Sequence, residues 1–133
     1  TAINEKSSDA DLHELRKTCK KFRYLIEFFH DYYLDEQIRK SIKTLKRLQE
    51  NLGDFQDISI QITQLDRFAQ SMQAEGVAKA KTIIAMGVLV EKLIARKKTV
   101  RKHFGECFKA FTMSDKDAEF IDALRYPIKR KAF

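Results

Sequence analysis

The sequence is poor in the residues that interrupt regular structure. Four glycines and one proline in 133 residues leave few sites for tight turns. That excludes a β-sandwich or barrel and predicts long, regular elements. Tryptophan is absent, and there are two cysteines, Cys19 and Cys107, far apart in apolar helical surroundings. Buried free thiols in a reducing compartment are expected of them, not a disulfide. No uninterrupted apolar stretch reaches the ~18 residues of a membrane-spanning helix. The N-terminus lacks the apolar core of a signal peptide. The expected location is cytoplasmic, with no membrane partner. The chain begins with Thr1 and not Met, as a fragment or a processed product would.

What is present suits one soluble helical domain. The chain is 44% hydrophobic and 34% charged, enough to bury a core and too hydrophobic for wholesale disorder. Lys and Arg number 26 against 19 Asp and Glu, a formal charge of +7. An excess of that size points to anionic partners where it is clustered.

Apolar residues recur at spacings of 3 and 4, the helical period. Leu12, Leu15, Cys19, Phe22, Ile26, Phe29 and Tyr33 mark a first helix over about 9–33, opened by Ser8 and Asp11 in the pattern of a capping box. Ile38, Ile42, Leu45, Leu48, Gln49 and Leu52 mark a second, about 35–52, with Gly53 as its C-terminal stop. Asp54 then caps a third helix, about 55–74, ended by Gly76. A long fourth helix follows over about 78–112. Ser114 and Asp117 open a short fifth, about 115–125. The fold class expected is all-α: an up-down four-helix bundle with a short extra C-terminal helix. Residues 1–8 are read as a disordered segment, 9–126 as the bundle and 127–133 as a basic tail.

The first helix carries the informative pattern. At 100° per residue, His13, Arg16, Lys17, Lys20, Arg23 and Tyr24 fall within one arc of about 120°, away from the apolar stripe. Few acids interrupt the row before Glu27 and Asp31. Like charges at these spacings repel by a few tenths of a kcal/mol per pair, ~0.2–0.5. A bound anion would offset that repulsion; the plainer reading is a solvated basic face. The second helix adds Arg39, Lys40, Lys43, Lys46 and Arg47. The fourth adds Lys92, Arg96, Lys97, Lys98, Arg101 and Lys102, with no acid among positions 92–102. Packed beside the first helix, these would frame a basic groove suited to a linear polyanion, because Arg offers forked donors and Lys a mobile point charge. Lys97 falls close to the apolar stripe of its helix, where it snorkels past the core or enters a polar cavity. The histidines are scattered, and no zinc-ligand set is read from them. No nucleophile elbow, phosphate loop or metalloprotease helix is present. No catalytic residue, metal or cofactor is therefore assigned.

The stretch Leu-His-Glu-Leu-Arg-Lys-Thr-Cys-Lys-Lys-Phe-Arg-Tyr, residues 12–24, resembles the signature of the CHAD family, the conserved histidine α-helical domains. The matching positions are His13, Arg16, Lys17, Lys20, Arg23 and Tyr24. A second block, residues 45–57, resembles the family's second conserved segment through Lys46, Gln49, Gly53 and Asp57. The resemblance implies a non-catalytic helical module that binds inorganic polyphosphate. It implies phosphate contact by His13, Arg16, Lys17, Lys20, Arg23 and Lys46, with Tyr24, Gln49 and Asp57 as hydrogen-bonded support. Lys43, Arg96, Lys97 and Arg101 are weaker candidates. The family pattern occurs twice in a full domain and once here, in a form closer to the C-terminal half. A homodimer, or pairing with a second CHAD half, is the corresponding expectation. Association with polyphosphate granules is the expected extension of the cytoplasmic location. The alternatives are binding of nucleic acid or another polyanion, and a helical protein-interaction bundle whose charge serves solubility.

Overall fold

The computed structural model describes residues 3–4, 6–29 and 36–114. They contain three helices, α1 (Asp9–Phe29), α2 (Glu36–Ala74) and α3 (Ala80–Ser114). The expected four-helix bundle is not what forms, because the second and third expected helices are one. Gly53 does not stop α2, and Asp54 does not cap a new helix. The apolar stripe keeps its phase across the glycine: Leu45, Leu48, Leu52, Phe55 and Ile58 are all buried. A glycine inside a helix costs about 1 kcal/mol relative to alanine. Burying a single Leu or Phe returns ~1.5–3 kcal/mol, so packing on both sides of Gly53 carries the helix through it. The expected fifth helix, the tail and the end of the first helix beyond Phe29 lie outside the described residues.

The ends that are described follow local chemistry. At the start of α1, the Ser8 backbone N–H donates to Asp11 Oδ2 at 3.0 Å. The Asp11 N–H donates back to Ser8 Oγ at 3.2 Å. This reciprocal cap uses Asp where Glu is commoner. The acidic Asp9 and Asp11 also suit the positive end of the helix dipole. Ahead of it, Asn4 N–H bonds to Ser7 Oγ at 2.9 Å, and Ile3 packs against the core. At the other end of α2, Gly76 adopts φ +68°. Its N–H reaches the Gln73 carbonyl at 3.1 Å, and that of Val77 reaches Met72 at 3.0 Å. This is a Schellman ending, which needs the left-handed backbone that glycine tolerates.

The short turn over 75–79 makes α2 and α3 an antiparallel hairpin. Side-chain pairs between α1 and α2 run in opposite order along the two helices, so α1 is also antiparallel to α2. At 1.5 Å per residue α2 is about 58 Å long and α1 about 32 Å. Only one half of the hairpin can therefore receive α1. The core lies there, built from Leu12, Cys19 and Ile26 of α1, Leu45, Leu48, Leu52 and Phe55 of α2, and Phe104 of α3. Phe104 stacks on Phe108 with ring centres 5.5 Å apart. The far half of the hairpin has no third helix over it among the described residues, and Phe68, Ile84, Val88 and Leu89 are exposed there. No described helix is long and apolar enough to cross a membrane.

Candidate functional site

Spacings of 3, 4 and 3 place His13, Arg16, Lys20 and Arg23 in one row along α1. The same spacings place Gln56, Gly53, Gln49 and Lys46 in one row along α2. Contacts at the two ends set the register. His13 Nδ1 lies 3.2 Å from Gln56 Oε1. Arg23 Nη1 donates to Gln49 Oε1 at 3.2 Å. Farther along, Lys46 Nζ lies 3.8 Å from Glu27 Oε1. The rows therefore face each other, and Arg16 and Lys20 fall opposite Gly53, between the two anchored ends.

The anchors orient the remaining donors of the two rows. Each glutamine oxygen accepts from a group on α1, so each amide nitrogen is left to donate elsewhere. With Nδ1–H donating to Gln56, the Nε2 atom of His13 is the ring nitrogen left for a ligand. Arg23 is held twice, through Gln49 and through Nε to Glu27 Oε1 at 2.8 Å. The hydrogen bond from Arg23, and then the charges of Arg23 and Lys46, hold the Glu27 carboxyl below its ordinary range. Lys17, on the outer side of the row, pairs with Glu14 at 2.6 Å. That hydrogen bond lowers the Glu14 pKa in the same way. Exposed pairs of this kind are worth about 1 kcal/mol or less and yield readily to a multiply charged ligand. Arg16 and Lys20 have no hydrogen bond or ion pair among the described residues. Lys20 Nζ stands 6.0 Å from the centre of the Tyr24 ring.

The other expected residues take several roles. Of the three assigned support, Gln49 makes the bond to Arg23. Tyr24 meets Lys20 through its ring and is 59% exposed. Asp57 is exposed on α2, one turn past Gly53, with no bonding partner among the described residues. On α3, Lys97 bonds Asp9 Oδ2 at 2.9 Å and lies 4.9 Å over the Phe55 ring. It is thus a snorkelling lysine that pins the start of α1. Arg101 donates to the Ser7 carbonyl and lies 5.2 Å over the Phe104 ring. Both cations brace the N-terminal end of α1. Arg96 is exposed on α3, and Lys43 is exposed on α2 one turn before Lys46. His103 Nδ1 meets Glu106 at 3.1 Å on the open side of α3. Among the described residues, no group of three or more His, Cys, Asp or Glu is arranged to hold a metal ion.

The sequence does not signal two features: Gln56 as the partner of His13, and Gly53 as a member of the α2 row. The signal for Gln56 lies in the antiparallel register. With Gln49 facing Arg23, the residue two turns on in α2 falls beside the α1 turns that hold His13 and Arg16. Past Gln56 the same row continues along α2 through Ile60, Thr63 and Arg67, which line a shallow depression beyond the end of α1.

Residues 1–66 match the CHAD domain family. The matched segment contains both facing rows and leaves out α3. No curated protein and no solved structure matches the chain at a significant level.

Proposed function

We propose, for a chain that belongs to the CHAD family over residues 1–66, that the α1/α2 groove binds inorganic polyphosphate without catalysis. The observation that carries this reading is the pair of facing rows. His13, Arg16, Lys20 and Arg23 line one edge, and Lys46 with the outward amides of Gln49 and Gln56 lines the other. Phosphate oxygens only accept hydrogen bonds, and these edges mainly donate. A polymer with an anionic group at every repeat suits cations repeated every turn. Among the described residues the facing rows hold no Phe, Tyr or Trp on which bases could stack, which favours the simpler polyanion over nucleic acid.

A second basic face, from another copy of the chain or a second CHAD half, would close the groove's open side over the ligand. Like-charged faces meet only with polyanion between them. Sedimentation should therefore show the dimer only when polyphosphate is added.

The test is a calorimetric titration with long-chain polyphosphate at low and physiological salt, with duplex DNA of equal charge for comparison. The expected result is submicromolar binding at physiological salt, about tenfold tighter than DNA and weakened by added salt through counterion release. The double variant Arg16→Glu/Lys20→Glu should lose this binding and keep its helicity. Equal, weak binding of both polymers would refute the proposal.

A further inference from the structure

Gly53 has no role in holding the fold. It lies inside α2, so it makes no turn, and Gly76 is the glycine with a positive φ among the described residues. A β-carbon on Gly53 would have no neighbouring atom within 4 Å beyond its own turn of helix. Close packing therefore does not require its smallness. Glycine inside a helix is less stable than alanine, so the fold alone would be better served by a side chain. The position explains what the fold does not. Gly53 stands in the row between Gln49 and Gln56, both tied to α1, and opposite Arg16 and Lys20, which have no polar partner among the described residues. A side chain at 53 would project into the groove between those cations and α2.

We propose that Gly53 is a clearance point: its missing side chain lets the phosphate run lie against the flank of α2 beneath Arg16 and Lys20, instead of riding on the outer crest of α1. This rests on the polyphosphate reading above and adds a position that sets how deep the ligand sits. It separates two effects that usually move together. A side chain at 53 should stabilise the protein and weaken binding, with no change in charge.

Gly87 supplies the internal control. It also lies within a helix with nothing within 4 Å of its β-carbon. It sits on α3, outside the facing rows. The experiment compares Gly53→Leu, Gly53→Ala and Gly87→Leu with the unaltered chain, by thermal unfolding and by titration with long-chain polyphosphate. Gly53→Leu should keep or raise the Tm and weaken binding about tenfold, the scale of one lost charged hydrogen bond. Gly53→Ala should raise the Tm at least as much, because alanine is the better helix former, and weaken binding by less. Gly87→Leu should leave affinity within about twofold, because it touches neither row. Wild-type affinity in folded Gly53→Leu would overturn the clearance role while leaving the polyphosphate reading intact. Absence of binding by the unaltered chain would overturn that reading, and this proposal with it.

Discussion

Replacing Glu27 by glutamine should strengthen polyphosphate binding, although it removes two ion pairs. Glu27 Oε1 lies 2.8 Å from Arg23 Nε and 3.8 Å from Lys46 Nζ. A phosphate engaging those two cations would come within roughly 6 Å of the carboxylate. At the dielectric constant of water, suited to a side chain that is 38% exposed, one charge pair at that distance costs about 0.7 kcal/mol. Relieving it improves affinity about threefold, and relieving two such repulsions improves it about tenfold. The hydrogen bond from Arg23 holds the Glu27 carboxyl below its ordinary range, so the repulsion is present at neutral pH. The exposed pairs themselves contribute at most about 1 kcal/mol to folding, so the variant should fold normally. Calorimetry of Glu27→Gln with long polyphosphate at physiological salt reads the effect. Unchanged or weaker binding would show that the polymer does not visit Arg23 and Lys46, and the proposed path would be wrong.

Further predictions concern the scaffold. Leu48 is fully buried at the meeting of the three helices; Leu48→Ala should cost ~2–5 kcal/mol in denaturant unfolding. Ser8→Ala should lower the Tm at neutral pH, because it removes the cap on α1. Hydrogen bonds from Ser8 hold Asp11 below its ordinary 3.8. That stabilisation is present above the ordinary value and is lost as the pH falls through the lower folded value, so the two Tm curves should converge in acid. Burial raises the Cys19 thiol to about 11, whereas Cys107 is only partly buried. Alkylation of the folded protein should therefore label Cys107 first and Cys19 only on unfolding.

The sequence was most legible where one helix decides the outcome. The row His13, Arg16, Lys20, Arg23 needs only the helical period to come together, and the cap at Ser8 and Asp11 needs only three residues of spacing. The ending at Gly76 was equally local. Gly53 misled because a glycine's stop signal is a weak preference, worth about 1 kcal/mol, and the buried Leu52 and Phe55 beside it outweigh that preference. The fates of Lys97 and Arg101 were hidden for a different reason. They depend on where the start of α1 lands against α3, which places Asp9 and the Ser7 carbonyl within their reach. The pairing of His13 with Gln56 likewise belongs to the register between helices, which a single-helix wheel does not contain.

A polyanion lying between the facing rows of α1 and α2 would change the surroundings of the amides in both rows. The most direct measurement is residue-resolved NMR of the isotope-labelled chain during titration with polyphosphate. Amide shifts should concentrate at residues 13–24 and 46–57, with little change over 84–96 of α3. Shifts spread evenly over every exposed lysine and arginine, or centred on α3, would contradict that placement.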